Sequence, residues 1–307
     1  MGLVWSKKYS YNDGDINLLS MKYFNKEIEN NEKIKHFNTS SNTIAELIKD
    51  LSEIIMHNGT IKHLQLSHDI NVESMKYLSE AIKYNQTITH LILNNSTNAE
   101  SIKYLSEAIK YNQKITHLTL GSNMNTEPVK YLSEAIKYSK IITHLQLHHN
   151  INVESVKYLK NAIKENKSIR YLEWTSYINI KSMKYLSEAI KYNHSVLVLK
   201  LSRCKISDKI IKYLCKGLKY NKKIKKLFLC DNDIGNLGLK YLGDMLKTNE
   251  TIKGIFLFRN DYDDNGVKYL LQSIEYNKTI TDINVYCNNN ICSIIYLGKI
   301  LSRNKIL

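Results

Sequence analysis

Proline is all but absent from this chain, with one in 307 residues, and glycine is scarce at eleven. So little of either leaves no flexible linker on which separate domains could be hung. No stretch is apolar enough to cross a membrane, and Met1 to Ser10 lacks the apolar core of a secretion signal. The five cysteines all fall between Cys204 and Cys292, with no Cys-x-x-Cys pair among them. An odd number without paired spacing points to free, mostly buried thiols in a reducing compartment, so a cytoplasmic location is expected. A glycine-rich phosphate loop, an H-E-x-x-H pair and a G-x-S-x-G elbow are also missing. The run Asp261, Asp263, Asp264, Asn265, Gly266 lacks the full spacing and terminal bidentate glutamate of a calcium loop. No enzyme, no cofactor and no metal site is expected.

Repetition is what the chain has instead. Anchors at Ile34, Ile61, Ile88, Ile115, Ile142, Ile169 and Val196 stand twenty-seven residues apart, and a step of twenty-eight then leads to Ile224, Ile252 and Ile280. The segment KYLSEAIKY occurs four times unchanged, from Lys76, Lys103, Lys130 and Lys184. A fixed period of this length marks a solenoid, in which each unit buries its apolar face only against its neighbours. Within a unit, Leu91 and Leu93 alternate as in a strand, whereas Ile102, Leu105, Ala108 and Ile109 recur at helical spacing. Asn98, with Glu100 in the first turn, reads as an N-cap, repeated by Asn71, Asn125, Asn152 and Asn179. Asn112 closes the helix, as do Asn85, Asn166, Asn193, Asn221, Asn249 and Asn277, and asparagine tolerates the left-handed backbone such an end often needs.

The pattern L-x-x-L-x-L-x-x-N/C-x-L followed by a helix resembles the leucine-rich repeats, in their long, ribonuclease-inhibitor-like form. Cys204, Asn232 and Asn260 stand at the Asn/Cys position, while Asp69, Ser96 and Tyr177 replace it in units one residue shorter, whose turns should be tighter or irregular. The fold implied is an α/β horseshoe-shaped solenoid with a parallel sheet on the concave face and helices on the convex face. An N-terminal arm over 1–14 would precede a repeat domain over 15–307, made of a capping helix at 15–33 and about ten repeats from 34.

The N-terminus fits M-G-x-x-x-[ST], which makes Gly2 a candidate for N-myristoylation. One acyl chain holds a protein weakly, so Lys7 and Lys8 close behind it would supply the second signal for peripheral membrane contact.

Forty-four Lys and Arg against twenty-nine Asp and Glu give a formal charge of +15. On a helical wheel Lys103 and Lys110 lie opposite Ile102, Leu105 and Ile109, beside rows such as Tyr77, Tyr104, Tyr131, Tyr158 and Tyr185. Such a stripe is a weak anionic-membrane or nucleic-acid surface at most, because Glu80, Glu107, Glu134 and Glu188 dilute it. The expected reading is a solvated helix face, and nucleic acid is not the expected partner.

Parallel strands lie about 4.8 Å apart and packed helices about 10 Å apart, so the stack should curve with its strands inside. The solvent-facing strand positions then form the surface on which this architecture usually binds partners. Read unit by unit they give His63, His90, His117, His144 and Tyr171, with His148 further along, and then Phe228, Phe256, Phe258, Arg259 and Tyr286. Aromatic residues beside an arginine have the composition of an interface hot spot. The histidine row lacks a carboxylate or thiolate to complete a metal cage, and is expected to charge as pH falls towards ~6. The expected function is therefore a monomeric, non-catalytic scaffold that takes an unidentified protein in its concave face. A GTPase-activating or enzyme-inhibiting regulator follows only from likeness to repeat proteins of those kinds.

Overall fold

The computed structural model describes residues 45–285, apart from 68–69, 95–97, 122–123, 149–150 and 276, together with two strands at 15–17 and 36–39. The chain divides into two compact units, Met1–Ile142 and Thr143–Leu307.

In the first unit, strands β1 (Asp15–Asn17), β2 (His36–Thr39), β3 (His63–Ser67), β4 (His90–Asn94) and β5 (His117–Leu120) pair in parallel in chain order. Helices α1 (Ala45–His57), α2 (Val72–Tyr84), α3 (Ala99–Tyr111) and α4 (Thr126–Tyr138) follow β2 to β5. The second unit repeats the scheme with β6 (His144–His148), β7 (Tyr171–Thr175), β8 (Val198–Lys200), β9 (Lys226–Phe228), β10 (Gly254–Phe256) and β11 (Asp282–Asn284). Its helices are α5 (Val153–Glu165), α6 (Ile180–Tyr192), α7 (Asp208–Leu218), α8 (Asn236–Leu246) and α9 (Asp264–Ser273).

The period-2 strands place Leu64, Leu91 and Leu118 in one buried file and Leu66, Leu93 and Leu120 in the next. The second unit stacks Leu145, Leu172, Leu199, Leu227 and Ile255, then Leu147, Trp174, Leu201, Leu229 and Leu257. Each helix closes the layer with residues such as Ile102, Leu105, Ala108 and Ile109. Burying one such leucine stabilises the fold by about 2 kcal/mol. Small residues set how closely neighbouring helices approach: a Cβ on Gly217 of α7 would stand 2.3 Å from the Ser187 carbonyl oxygen of α6. Strands facing one side, helices on the other and one repeat per layer make each unit a leucine-rich-repeat solenoid.

The expected capping helix at 15–33 is corrected at its start. Asp15–Asn17 is strand β1, in register with His36–Asn38. Asp-Ile-Asn carries the same polar–apolar–polar alternation as His-Phe-Asn and so extends the sheet. Residues 18–35 lie outside the described part.

The asparagines that end the helices are not left-handed caps. Asn85, Asn112 and Asn193 have φ of −59°, −63° and −74° with ψ near 135°, an extended backbone. Their side chains tie one repeat to the last. Asn193 Nδ2 donates to the carbonyls of Ile163 (2.6 Å) and Asn166 (3.3 Å), and its Oδ1 accepts from the N–H groups of Ser195 and Val196. Asn112, Asn221, Asn249 and Asn277 repeat the pattern, which satisfies helix-end carbonyls and turn amides at once. At the other helix ends, Asn71, Asn98, Asn152 and Asn179 accept backbone N–H bonds as N-caps, whereas Asn125 makes no side-chain cap bond.

The twenty-eight-residue units add a second ladder. Asn232 Nδ2 donates to the carbonyls of Leu201 and Leu229 while its Oδ1 accepts from the Cys204 and Ile206 N–H groups, and Asn260 bridges Leu229 and Leu257 in the same way. The residues just before Cys204, Asn232 and Asn260, which are Arg203, Asp231 and Arg259, have φ of 55–60°. That is where the extra residue turns the chain, at a cost of about 1–2 kcal/mol for each side chain in the left-handed region.

Candidate partner-binding face

The strand face of the first unit carries a file of imidazoles. Parallel register sets His63 against His90 and His90 against His117. With strands at sheet spacing the His90 and His117 rings stack, centroids 3.9 Å apart, and the His63 ring lies tilted by 31° with its centroid 4.2 Å from that of His90. A threonine precedes each of the last two, and its hydroxyl meets the ring Nδ1 at 2.9 Å for Thr89–His90 and 2.8 Å for Thr116–His117. Rings in one file along the sheet do not form a tetrahedral cage, and among the described residues no group of three His, Cys, Asp or Glu is placed to hold a metal.

In the second unit His144 continues the Thr-His pattern through Thr143, 2.9 Å from its Nδ1, and lies 5.4 Å from the Tyr171 ring. Burial holds the His144 imidazole below its ordinary pKa. His148 shares a hydrogen bond with Thr175 of the next strand.

Beside these residues sits a network that reading the sequence by columns missed. Glu173 occupies a solvent-side strand position, yet it is 6% exposed. Lys200 covers it at 2.7 Å, and Gln146 Nε2 and the Tyr171 hydroxyl donate to it at 3.0 and 3.1 Å. Burial pushes the Glu173 carboxyl up, but the Lys200 bond and charge together with the other two donors outweigh it, and the net pKa lies below the ordinary value. The bond from Glu173 raises Lys200 in turn, and burial followed by the Glu173 charge raises Tyr171. The signal available was register, since Glu173 faces Gln146 on one neighbour and Lys200 on the other.

Further along, Phe228 and Phe256 stack with centroids 4.2 Å apart and planes 5° from parallel. The Phe256 ring lies over Gly254, where a Cβ would stand 3.2 Å from the ring edge. A Cβ at residue 254 would therefore require the Phe256 ring to shift by a few tenths of an ångström. Phe258 is exposed, and Arg259 beside it reaches Asp231 at 3.3 Å. Arg203 approaches the same carboxylate from the other side at 3.7 Å. The structure thus brings Phe228, Phe256, Phe258 and Arg259 together on one end of this face. Tyr286, Gly2, Lys7 and Lys8 lie outside the described residues.

Trp174 and Cys204 are core residues, and burial pushes the Cys204 thiol up to about 12. Asp263 of the calcium-like run is the N-cap of α9, accepting from the Asn265 and Gly266 N–H groups. On the helix side the lysines pair with tyrosines of the following repeat: Lys76 over Tyr104 (5.1 Å), Lys184 over Tyr213 (4.9 Å) and Lys212 over Tyr241 (5.3 Å).

No protein-family model matches the chain, and no curated protein matches it. Solved structures do. Leiomodin-1 actin-binding site 2 is 21% identical with a TM-score of 0.39, over 41% of this chain and 74% of that one. The tropomodulin C-terminal domain of Caenorhabditis elegans is 13% identical with a TM-score of 0.36, over 57% of this chain and 92% of that one. TLR13 in its complex with ssRNA13 is 14% identical with a TM-score of 0.46, over 91% of this chain and 38% of that one.

Proposed function

We propose that this chain is a non-catalytic scaffold that binds a partner protein on its strand face. In the second unit the contact would centre on Phe228, Phe256, Phe258 and Arg259, with His144, His148 and Tyr171 as further contacts, while the histidine file would be the candidate contact of the first unit. The observation that carries this reading is the stacked aromatic pair seated on Gly254 with Phe258 exposed beside it. A sheet packed on one side has no folding reason to place three phenylalanines on the other, whereas a flat, rigid aromatic platform next to an arginine is the composition of a binding hot spot. Arg203 and Arg259 share Asp231, which favours a binding edge over a catalytic arginine. The twenty-eight-residue units with Asn232 and Asn260 support a ribonuclease-inhibitor-like type of repeat. The scaffold would act as a cytoplasmic monomer, with acylation of Gly2 and charge from Lys7 and Lys8 giving it membrane contact.

An affinity pull-down from eukaryotic lysate tests this, comparing the wild-type chain with a folded Phe256→Asp/Phe258→Asp variant. Proteins recovered by the first and lost from the second support the reading. Identical recoveries would move the contact away from the aromatic end.

A further inference from the structure

The net charge is not spread along the chain. Residues 151–230 hold nineteen Lys and Arg against five Asp and Glu, a net of +14 out of the chain's +15. The first unit is different: each of α2, α3 and α4 carries two lysines and two glutamates. Dilution by glutamate, which argues against a polyanion surface on those helices, therefore fails for the second unit.

The fold then sorts this charge to one edge. In the second unit the segments that lead from a helix to the next strand, from residue 166 to residue 281, carry nine Lys and Arg against two Glu: Glu250 and Glu275. On the opposite edge the described segments leading from strand to helix carry three against four. All the helices run the same way, so their negative C-terminal ends share the basic edge, and about one lysine per repeat would complement them. The corresponding segments of the first unit carry about that much: Lys62, Lys114 and Lys140. The turn between α7 and β9 carries four, at Lys219, Lys222, Lys223 and Lys225, and β9 opens on Lys226. Four of these five are exposed and Lys225 is half-buried. The ion pairs of this unit among the described residues engage Lys157, Lys160, Lys200, Lys247 and two arginines, and none of the five.

Aromatic rings are interleaved with that charge. Lys164 lies 5.2 Å from the Tyr192 ring, and Lys191 lies 4.9 Å from Tyr192 and 5.0 Å from Tyr220. Tyr192 and Tyr220 are 45% and 58% exposed, which leaves ring surface open. Cations at successive repeats with exposed rings between them match a flexible strand that has one phosphate per nucleotide and bases to stack. A lipid surface would instead need apolar side chains to insert, and among the described residues this edge exposes one aliphatic side chain, Leu197.

We propose that the edge of the second unit where helices lead into strands binds single-stranded nucleic acid, phosphates on Lys219, Lys222, Lys223, Lys225 and Lys226 and bases against Tyr192 and Tyr220. The site is centred on the turn before β9 and meets the aromatic strand face at Lys226, two residues before Phe228. The test is fluorescence anisotropy of labelled fifteen-nucleotide oligo-U and oligo-dT with the full chain. With five phosphates neutralised, affinity should fall about 100-fold between 50 and 200 mM salt. Lys219→Glu/Lys222→Glu/Lys223→Glu/Lys225→Glu should weaken binding at least tenfold. The charge-matched control Lys76→Glu/Lys103→Glu/Lys114→Glu/Lys140→Glu should weaken it less than threefold. Tyr192→Ala/Tyr220→Ala should weaken it at least about fivefold. Should the charge-reversed edge variant lose its fold by circular dichroism, glutamines at the same four positions serve in its place under the same threshold. Equal losses in edge variant and control, indifference to the tyrosines, or binding only to phosphatidylserine vesicles or polyglutamate would each overturn the proposal.

Discussion

Replacing Asn193 by alanine is the sharpest test of what holds the repeats together. Its side chain is 1% exposed and meets four main-chain groups: the Ile163 and Asn166 carbonyls and the Ser195 and Val196 amides. Each buried group left without a partner costs about 1–3 kcal/mol, and water entering the small void recovers part of that. The expected loss is about 3–5 kcal/mol. Asn98→Ala supplies the comparison, because that asparagine is an exposed N-cap with one bond to the Glu100 N–H, and its loss should cost about 1 kcal/mol. In a Trp5→Phe background, urea unfolding followed by fluorescence reads the second unit through the buried Trp174, while circular dichroism reads the whole chain. A solenoid held by nearest-neighbour contacts need not unfold in one step, so the loss should show first in the Trp174 signal. If Asn193→Ala were no more damaging than Asn98→Ala, the side-chain ladder would not be what couples one repeat to the next.

Other predictions follow from the same geometry. Glu173→Gln should destabilise the chain by about 1 kcal/mol at pH 7, because it removes the charge that Lys200 pairs with. The folded pKa of Glu173 lies below the unfolded value, so its stabilisation is complete above about 4.3 and is lost as pH falls through the folded pKa. Melting curves of the two proteins should therefore converge in acid, and a constant gap would remove the pair from the account. Leu118→Ala should cost about 2–5 kcal/mol and Lys103→Ala little, read from their thermal midpoints; equal losses would invert the assigned faces. Cys204, with its thiol held near 12 by burial, should resist a thiol reagent at pH 8 until urea unfolds the second unit.

Much of the fold was legible because its signals are local. Leu91 and Leu93 announce a strand by alternation, and Ile102, Leu105 and Ile109 announce a helix by their spacing, whatever surrounds them. Asn193 was visible as a recurrent residue, but its work is done thirty residues back in the chain, so the local rule for helix ends assigned it the wrong backbone. Asp15–Asn17 was hidden because three residues are too few for a period, and only pairing with His36–Asn38 reveals the strand. Within the candidate site the columns of histidine and phenylalanine could be read down the repeats. Glu173 could not, since its burial depends on what stands across the sheet at Gln146 and Lys200. The lysine stripe was legible as composition, yet its pairing with tyrosines of the following repeat needs the offset between helices that only packing supplies.

A photo-crosslinking amino acid placed in turn at residue 258 on the strand face and residue 103 on the helix face tests the central claim most directly. In lysate, the first position should give a discrete protein adduct that competes away with the unlabelled wild-type chain, and the second should give none. The same adducts from both positions, or an adduct from residue 103 alone, would contradict a partner site on the strand face.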